Sequence, residues 1–343
     1  MYKRASLSLN KAFALFLISA LISVTFAQER SQKSKDDEDA IKLESTLVQV
    51  PVTVTNTRGA YVTNLTARDF ALYEDGVKQD IEFFKPVEAP FSVALLVDSS
   101  NSTADQLQEI RDSVAAFLDN MRTDDRAMII EFNDSVGTIC ELTSDKARLR
   151  ESLKEIKGGE FTQVYEAVYT AVWEKFENVE GRKAVILFSD GIDTASYEIK
   201  EEDTLDAIVE MEDVIVYPIR YGTKRDVLKR LARRYKPDFN EQFDDAEKCV
   251  PEDERLKLDR AYRKADTYLQ QLAESSGGVT EYADSLADLR GALGRIATEL
   301  RQQYLLGYYP SNTRRTRLAR RIKVEIPQGG FRVRARPAYT ITQ

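Results

Sequence analysis

No histidine occurs anywhere in the 343 residues, and the only cysteines are Cys140 and Cys249. The first absence removes Ser-His-Asp and Cys-His catalysis and every zinc site that uses imidazole. The second removes four-cysteine zinc and iron–sulfur centres. An enzyme built on this chain would need paired carboxylates, a lysine, a tyrosine or a hard metal ion. Long apolar runs are scarce too: beyond the N-terminus no segment approaches the roughly 20 residues that span a bilayer. Net charge is −8, and about −11 without the first 27 residues, which carry Lys3, Arg4 and Lys11 and no acid. That acidic excess disfavours nucleic acid as a partner, because phosphate contacts need a basic surface.

What is present suits about two domains with sizeable cores, at 43% hydrophobic and 31% charged residues. The N-terminus reads as an export signal. A basic stretch from Met1 to Lys11 precedes an apolar run from Ala12 to Ala27, and Thr25-Phe26-Ala27 offers a cleavage site. The run is short for a membrane anchor, the rival reading. Export places the protein in the periplasm, at the cell surface or outside the cell. Residues 28–44 are almost wholly polar and read as a flexible linker.

The chain is organised around Phe91-Ser-Val-Ala-Leu-Leu-Val-Asp98-Ser-Ser100-Asn-Ser102. A nearly unbroken apolar run suits a strand buried on both faces of a parallel sheet. It ends in three oxygen-bearing side chains at alternate positions, where open α/β sheets bind ligands. Oxygen donors of this kind suit Mg²⁺, Mn²⁺ or Ca²⁺. By itself the pattern reads first as an ordinary capped turn opening a helix. Lys183-Ala-Val-Ile-Leu-Phe-Ser189-Asp190-Gly191 repeats the design, and between the two runs Gly158-Gly-Glu-Phe-Thr162 delivers a hydroxyl at a helix start.

With these three stretches in order, the chain resembles a von Willebrand factor A domain over roughly residues 91–300, and the set resembles its metal-ion-dependent adhesion site. The resemblance implies ligands at Asp98, Ser100, Ser102, Thr162 and Asp190. It implies that the hydroxyls touch the divalent cation, with the acids acting largely through bound water, and that one position stays open for a partner's carboxylate. One departure stands at the threonine, where Glu160 and Phe161 intervene after the glycine pair.

Taken in order, Leu47 to Val54 alternates as a half-buried strand, and residues 69–73 run into Glu74-Asp75-Gly76, a hairpin signal continued by Ile81 to Phe83. Residues 321–326 and 331–336 alternate again around Pro327-Gln-Gly-Gly330. The expected architecture is a doubly wound, mostly parallel α/β sheet with one antiparallel edge over residues 91–304. It is inserted in a smaller all-β, sandwich-like domain built from residues 45–90 and 305–343. Two independent β-appendages are the rival. The segments Asp69-Phe70 through Ile81 and Gln303-Tyr-Leu-Leu-Gly-Tyr-Tyr-Pro310 resemble the bacterial exported "VWFA-related" proteins common in Acidobacteria. Within the α/β region, periodicity predicts helices over 103–121, 145–156, 162–179, 201–213 and 286–304, and strands over 127–132, 214–219 and 279–282.

A charged insertion, residues 225–264, holds Asp238, Asp244, Asp245, Glu247, Cys249, Glu252, Asp253 and Glu254. It reads as a solvated helical excursion or a second cation site. In the basic tail, Arg314, Arg315, Arg317, Arg320, Arg321, Lys323, Arg332, Arg334 and Arg336 face only Glu325. Alternation puts Arg332, Arg334 and Arg336 on the outward phase of a strand, a solvated face or a weak contact for anionic surfaces. Tyr304, Tyr308 and Tyr309 are expected to pack a domain junction. Cys140 and Cys249 either pair, as an exported compartment permits, or stay free. The function expected from all this is adhesion or protein interaction, with a partner's Asp or Glu completing the cation's coordination. The alternatives are an envelope scaffold in which a metal staples the loops, and a metal-assisted hydrolase using Asp98 and Asp190.

Overall fold

The computed structural model describes residues 47–85, 89–312 and 318–340. The expected signal and linker, and Arg314, Arg315 and Arg317, lie outside the described residues.

Strand β1 (Val48–Asn56) buries Val48, Val50, Val52 and Val54 by simple alternation. Strands β2 (Ala71–Glu74) and β3 (Val77–Gln79) form the hairpin, turning on Asp75 and Gly76, both at positive φ. That geometry matches the right-handed twist of the flanking strands. The hairpin stops at Gln79, contrary to the expectation that Phe83 continues it. Strand β4 (Phe83–Lys85) crosses to a different sheet, where Phe84 stacks on Tyr304.

Strand β5 (Phe91–Asp98) is buried at all eight positions. Helix α1 (Leu107–Asp119) follows a single 3-10 turn. Strands β6 (Arg126–Phe132) and β7 (Val136–Thr143) form an antiparallel edge, with Cys140 inside β7. Helix α2 (Lys146–Ser152) is capped by Asp145. Helix α3 (Val164–Tyr169) widens into a π-helix over Thr170–Lys175, and Val164, Val168, Val172 and Phe176 are all fully buried. Then come β8 (Arg182–Ser189), α4 (Glu201–Glu210) and β9 (Val214–Tyr221). The insertion folds as α5 (Lys224–Tyr235), α6 (Ala246–Cys249) and the first half of α7 (Glu252–Ser276), closed over a small core of Leu228, Ala232 and Val250. Strand β10 (Glu281–Ala283) and helix α8 (Leu286–Leu300) complete the α/β layer.

The six-stranded sheet runs β10-β9-β8-β5-β6-β7, parallel except at β7. One face carries α1, α2 and α8, the other α3, α4 and α7, so the apolar runs of β5 and β8 are covered on both sides. The fold is thus mixed α/β with a mostly parallel central sheet.

The helix expected to reach Tyr304 ends at Leu300, because the 3.6-residue stripe Leu289, Leu293, Ile296, Leu300 gives way to alternation. Strand β11 (Gln303–Tyr308) follows, turning Tyr304, Leu306 and Tyr308 inward. With β12 (Arg320–Glu325), β13 (Phe331–Ala335) and β14 (Ala338–Tyr339), the C-terminal strands share sheets with the N-terminal ones. The orders are β13-β1-β11-β4 and β14-β12-β2-β3, antiparallel throughout, around a core of the β1 valines, Phe70, Leu72, Tyr304, Tyr308 and Tyr339. Tyr309 stays half exposed.

The solvated reading of the basic tail is corrected for three arginines. Arg336 is 1% exposed and Arg320 3%. Arg320 pairs with buried Glu74 at 2.8 Å, while Tyr308 and Tyr339 donate to the other oxygen of that carboxylate. Arg334 bonds Glu299 of α8, which also accepts from Tyr217 and Tyr61. Arg320 shares the inward phase of β12 with Ile322, while the outward phase running through Arg334 and Arg336 meets α8 and the end of α4. Arg321, Lys323 and Arg332 are exposed. Cys140 and Cys249 are free thiols.

Candidate metal centre

Strands β5 and β8 run parallel and adjacent, pairing Val97 with Phe188, so the residues that follow each strand emerge side by side. Asp98 accepts the Ser100 amide at 3.0 Å through Oδ1 and the Ser189 hydroxyl at 2.6 Å through Oδ2. The first contact is the local turn an Asx residue makes two positions on. Thr103 donates to the Asp98 carbonyl, fixing the loop into α1. The Ser100 and Ser102 hydroxyls lie 3.1 Å apart. Asp190 accepts the Ile192 amide at 3.0 Å and the Thr223 hydroxyl at 2.5 Å, and the Ser102 hydroxyl reaches it as well.

Thr162 arrives by a loop that hugs the β5 and β6 ends. Gly159 donates to the Ser99 carbonyl at 2.9 Å, and a Cβ on it would lie 2.6 Å from Asn133 Cβ, closer than any side chain allows. The amides of Glu160 and Phe161 both donate to Asp134 Oδ1, at 3.0 and 2.6 Å. The two intervening residues are therefore held as a separate bend, and Thr162 stays 4% exposed. Its amide and carbonyl bond Thr194 and Ala195 in the loop after Asp190. Gly191 at φ +79 opens that loop where a Cβ would strike Leu269.

The structure thus brings all five residues to one end of the sheet. Ser102, Thr162 and Asp190 line a cavity of about 410 Å³, and Asp98 and Ser100 are buried at 0 and 1% exposure. Burial raises the pKa of both carboxyls; for Asp98 the Asp190 charge adds to it, while hydroxyl and amide donors pull the other way. Arg220 acts on Asp190 from a distance but is ion-paired with Asp266. Two buried carboxylates held by hydroxyls and amides, with no ion pair among the described residues, fit a hard divalent cation. Among the described residues no three acidic or thiol side chains gather as a metal-ligand group, in the insertion or elsewhere. The donors here are two acids and three hydroxyls.

Sequence reasoning missed the supports. Ser189 and Thr223 orient the two acids, and Tyr262 bonds Thr223 at 2.7 Å. Glu131 takes the Ser99 hydroxyl and the Lys157 amide. Asp193 caps α3 through the Val164 amide at 2.8 Å. Most of these contacts join residues about thirty or more positions apart, so no local pattern announces them. Only Ser189, beside Asp190, and Asp193, three residues on, stood near a motif.

The insertion lies against this centre. Arg230 of α5 donates to the carbonyls of Asn101 and Ser102, and Val227, Leu231, Leu258, Ala261 and Tyr262 wall the cavity.

Residues 92–248 match the family model described as von Willebrand factor type A domain. No curated protein matches the chain. Among solved structures, the vWF domain of the type V pili tip protein Mfa5 from Porphyromonas gingivalis shares 20% identity, covering 33% of this chain and 42% of that one at a TM-score of 0.31. The conserved hypothetical protein BatB from Bacteroides thetaiotaomicron shares 19%, covering 62% and 98% at 0.41. Proximal thread matrix protein 1 from the mussel byssus, with a zinc-occupied MIDAS motif, shares 15%, covering 65% and 48% at 0.45. The chain spans less than half the length of the first and third. The match to the von Willebrand factor type A domain thus falls on residues 92–248, which include the strands ending at Asp98 and Asp190 and the loop that carries Thr162.

Proposed function

We propose that this protein is an exported interaction module that binds a partner's Asp or Glu through a divalent cation held by Asp98, Ser100, Ser102, Thr162 and Asp190. The observation that carries the reading is the buried Asp98–Asp190 pair, of which Asp190 lines the cavity, with neither acid ion-paired among the described residues. Such a pair is costly without a cation to offset it. The bound ion would supply a hard positive charge with an open coordination position. The chain's own residues do the rest: Ser189 and Thr223 aim the acids, Gly159 and Asp134 seat Thr162, and the cavity limits what approaches. Mg²⁺ suits the oxygen donors, with Mn²⁺ and Ca²⁺ of the same class. Export is supported by the basic and apolar pattern of residues 1–27. The division proposed is a signal (1–27), a linker (28–44), and a β-domain from 45–90 and 305–343 around an A domain over 91–304.

Calorimetric titration of Mg²⁺ and Mn²⁺ tests the centre, beside Asp98→Ala and Thr162→Ala. One-site binding lost in both supports it. Absence of binding by the unmutated chain overturns the centre and leaves a scaffold without a metal in its place.

A further inference from the structure

The cavity over the centre is not a neutral opening. At about 410 Å³ it falls in the ~300–1,000 Å³ range of ligand pockets. One wall is apolar, from Val227 and Leu231 of α5 and Leu258 of α7. Along α5, Val227, Arg230, Leu231 and Arg234 form one helical stripe on that wall. Arg230 is committed to the Asn101 and Ser102 carbonyls. Arg234, exposed and about one turn further out, has no hydrogen-bond or ion-pair partner among the described residues.

Three other cations of the insertion are already matched. Lys229 and Arg233 meet Glu241, and Lys236 meets Asp244. The charges lining the cavity are Glu160, Asp190, Arg230 and Arg234. With a divalent ion offset by Asp98 and Asp190, two guanidiniums stand against the single Glu160 carboxylate. The mouth is then net positive in a protein that is net acidic.

We propose that the insertion makes this cavity a reader for a diacidic segment of a partner protein. One carboxylate meets the Asp98–Asp190 centre, a second pairs with Arg234, and an adjoining aliphatic side chain packs against Val227, Leu231 and Leu258. Guanidinium–carboxylate pairing in a partly desolvated cleft gives specificity as well as affinity. This inference rests on the cation reading above.

The test is selection of random phage-displayed peptides on the purified full chain in Mg²⁺, with elution by EDTA. The expected consensus is two neighbouring acids beside an aliphatic residue. A synthetic peptide of that consensus should bind Arg234→Glu about tenfold or more weakly, with the variant's Mg²⁺ affinity unchanged. Arg234 is exposed, so the variant folds as the parent does. A consensus with one acid, or equal binding to Arg234→Glu, overturns the inference and leaves the centre standing. Absence of any EDTA-released clone overturns the centre and the inference together.

Discussion

Arg336 donates to the Ile208 carbonyl, 2.6 Å away at the end of α4, from a site that strand alternation assigns to solvent. Its other nitrogens meet the carbonyls of Met211 and Ala338. A residue just past β13 therefore supplies donors to the last turn of a helix in the α/β layer, whose carbonyls have no partners within the helix and whose dipole favours a cation. Burial pulls the pKa of Arg336 down to about 10, with Glu212 and Asp213 acting against that shift.

Replacing Arg336 by Met should destabilise the protein by roughly 3 kcal/mol, since several buried carbonyls lose their donor together. Denaturant unfolding measures it. A loss under half a kcal/mol would show that water takes over those carbonyls.

Glu212 gives a pH signature in the same region. Burial raises its pKa to about 7, above the ordinary 4.5, although the Arg336 charge and the Gln49 amide oppose the shift. The folded protein then holds a proton that the unfolded chain releases. That contribution to stability is complete below pH 4.5 and fades as pH rises to 7. Glu212→Gln should gain on the unmutated protein from about pH 5 to pH 8 in parallel unfolding curves. A constant difference across that range would refute it.

At the candidate centre, neutralising one acid should separate stability from cation binding. Asp190→Asn keeps an acceptor for the Ile192 amide and removes one of two buried like charges, so the ion-free protein should gain about 1–2 kcal/mol. The same variant should lose the rise in melting temperature that Mg²⁺ gives the unmutated chain. Thermal scans with Mg²⁺ and with EDTA read both effects. A destabilised ion-free variant would mean that Thr223 and Ser102 already offset the charge.

Gly159→Ala probes the loop that carries Thr162. The added methyl collides with Asn133, whose amide bonds Ser99 and the Lys157 carbonyl, so the loop must move. Overpacking of this kind costs about 1–3 kcal/mol. Cation affinity should drop about tenfold, whereas the core of the two antiparallel sheets is untouched. Unchanged affinity by calorimetry would remove Thr162 from the ligand set.

Much of this architecture is written locally. The runs ending at Asp98 and Asp190 are apolar over residues 93–97 and 184–188, and a doubly covered parallel strand hides such a run. The oxygen-rich turns after them, the hairpin at Asp75-Gly76 and the stripe of α3 are also short-range patterns, readable because neighbours in sequence create them. The structure brings Asp98, Ser100, Ser102, Thr162 and Asp190 to one end of the sheet, with Asp134 absorbing the two extra residues of the loop.

Tertiary packing alone decided the rest. Arg334 and Arg336 alternate like surface residues, yet Glu299 and the α4 carbonyls lie across from them, contributed by segments far away in sequence. Ser189, Thr223 and Tyr262 acquire their roles around the acids only once β5, β8, β9 and α7 converge. The insertion reads as a solvated charge run, but its stripe along α5 becomes a cavity wall because α5 and α7 close over the loop after Asp98. Periodicity tells which face of an element is apolar; what that face meets is set by long-range contacts that sequence spacing does not encode.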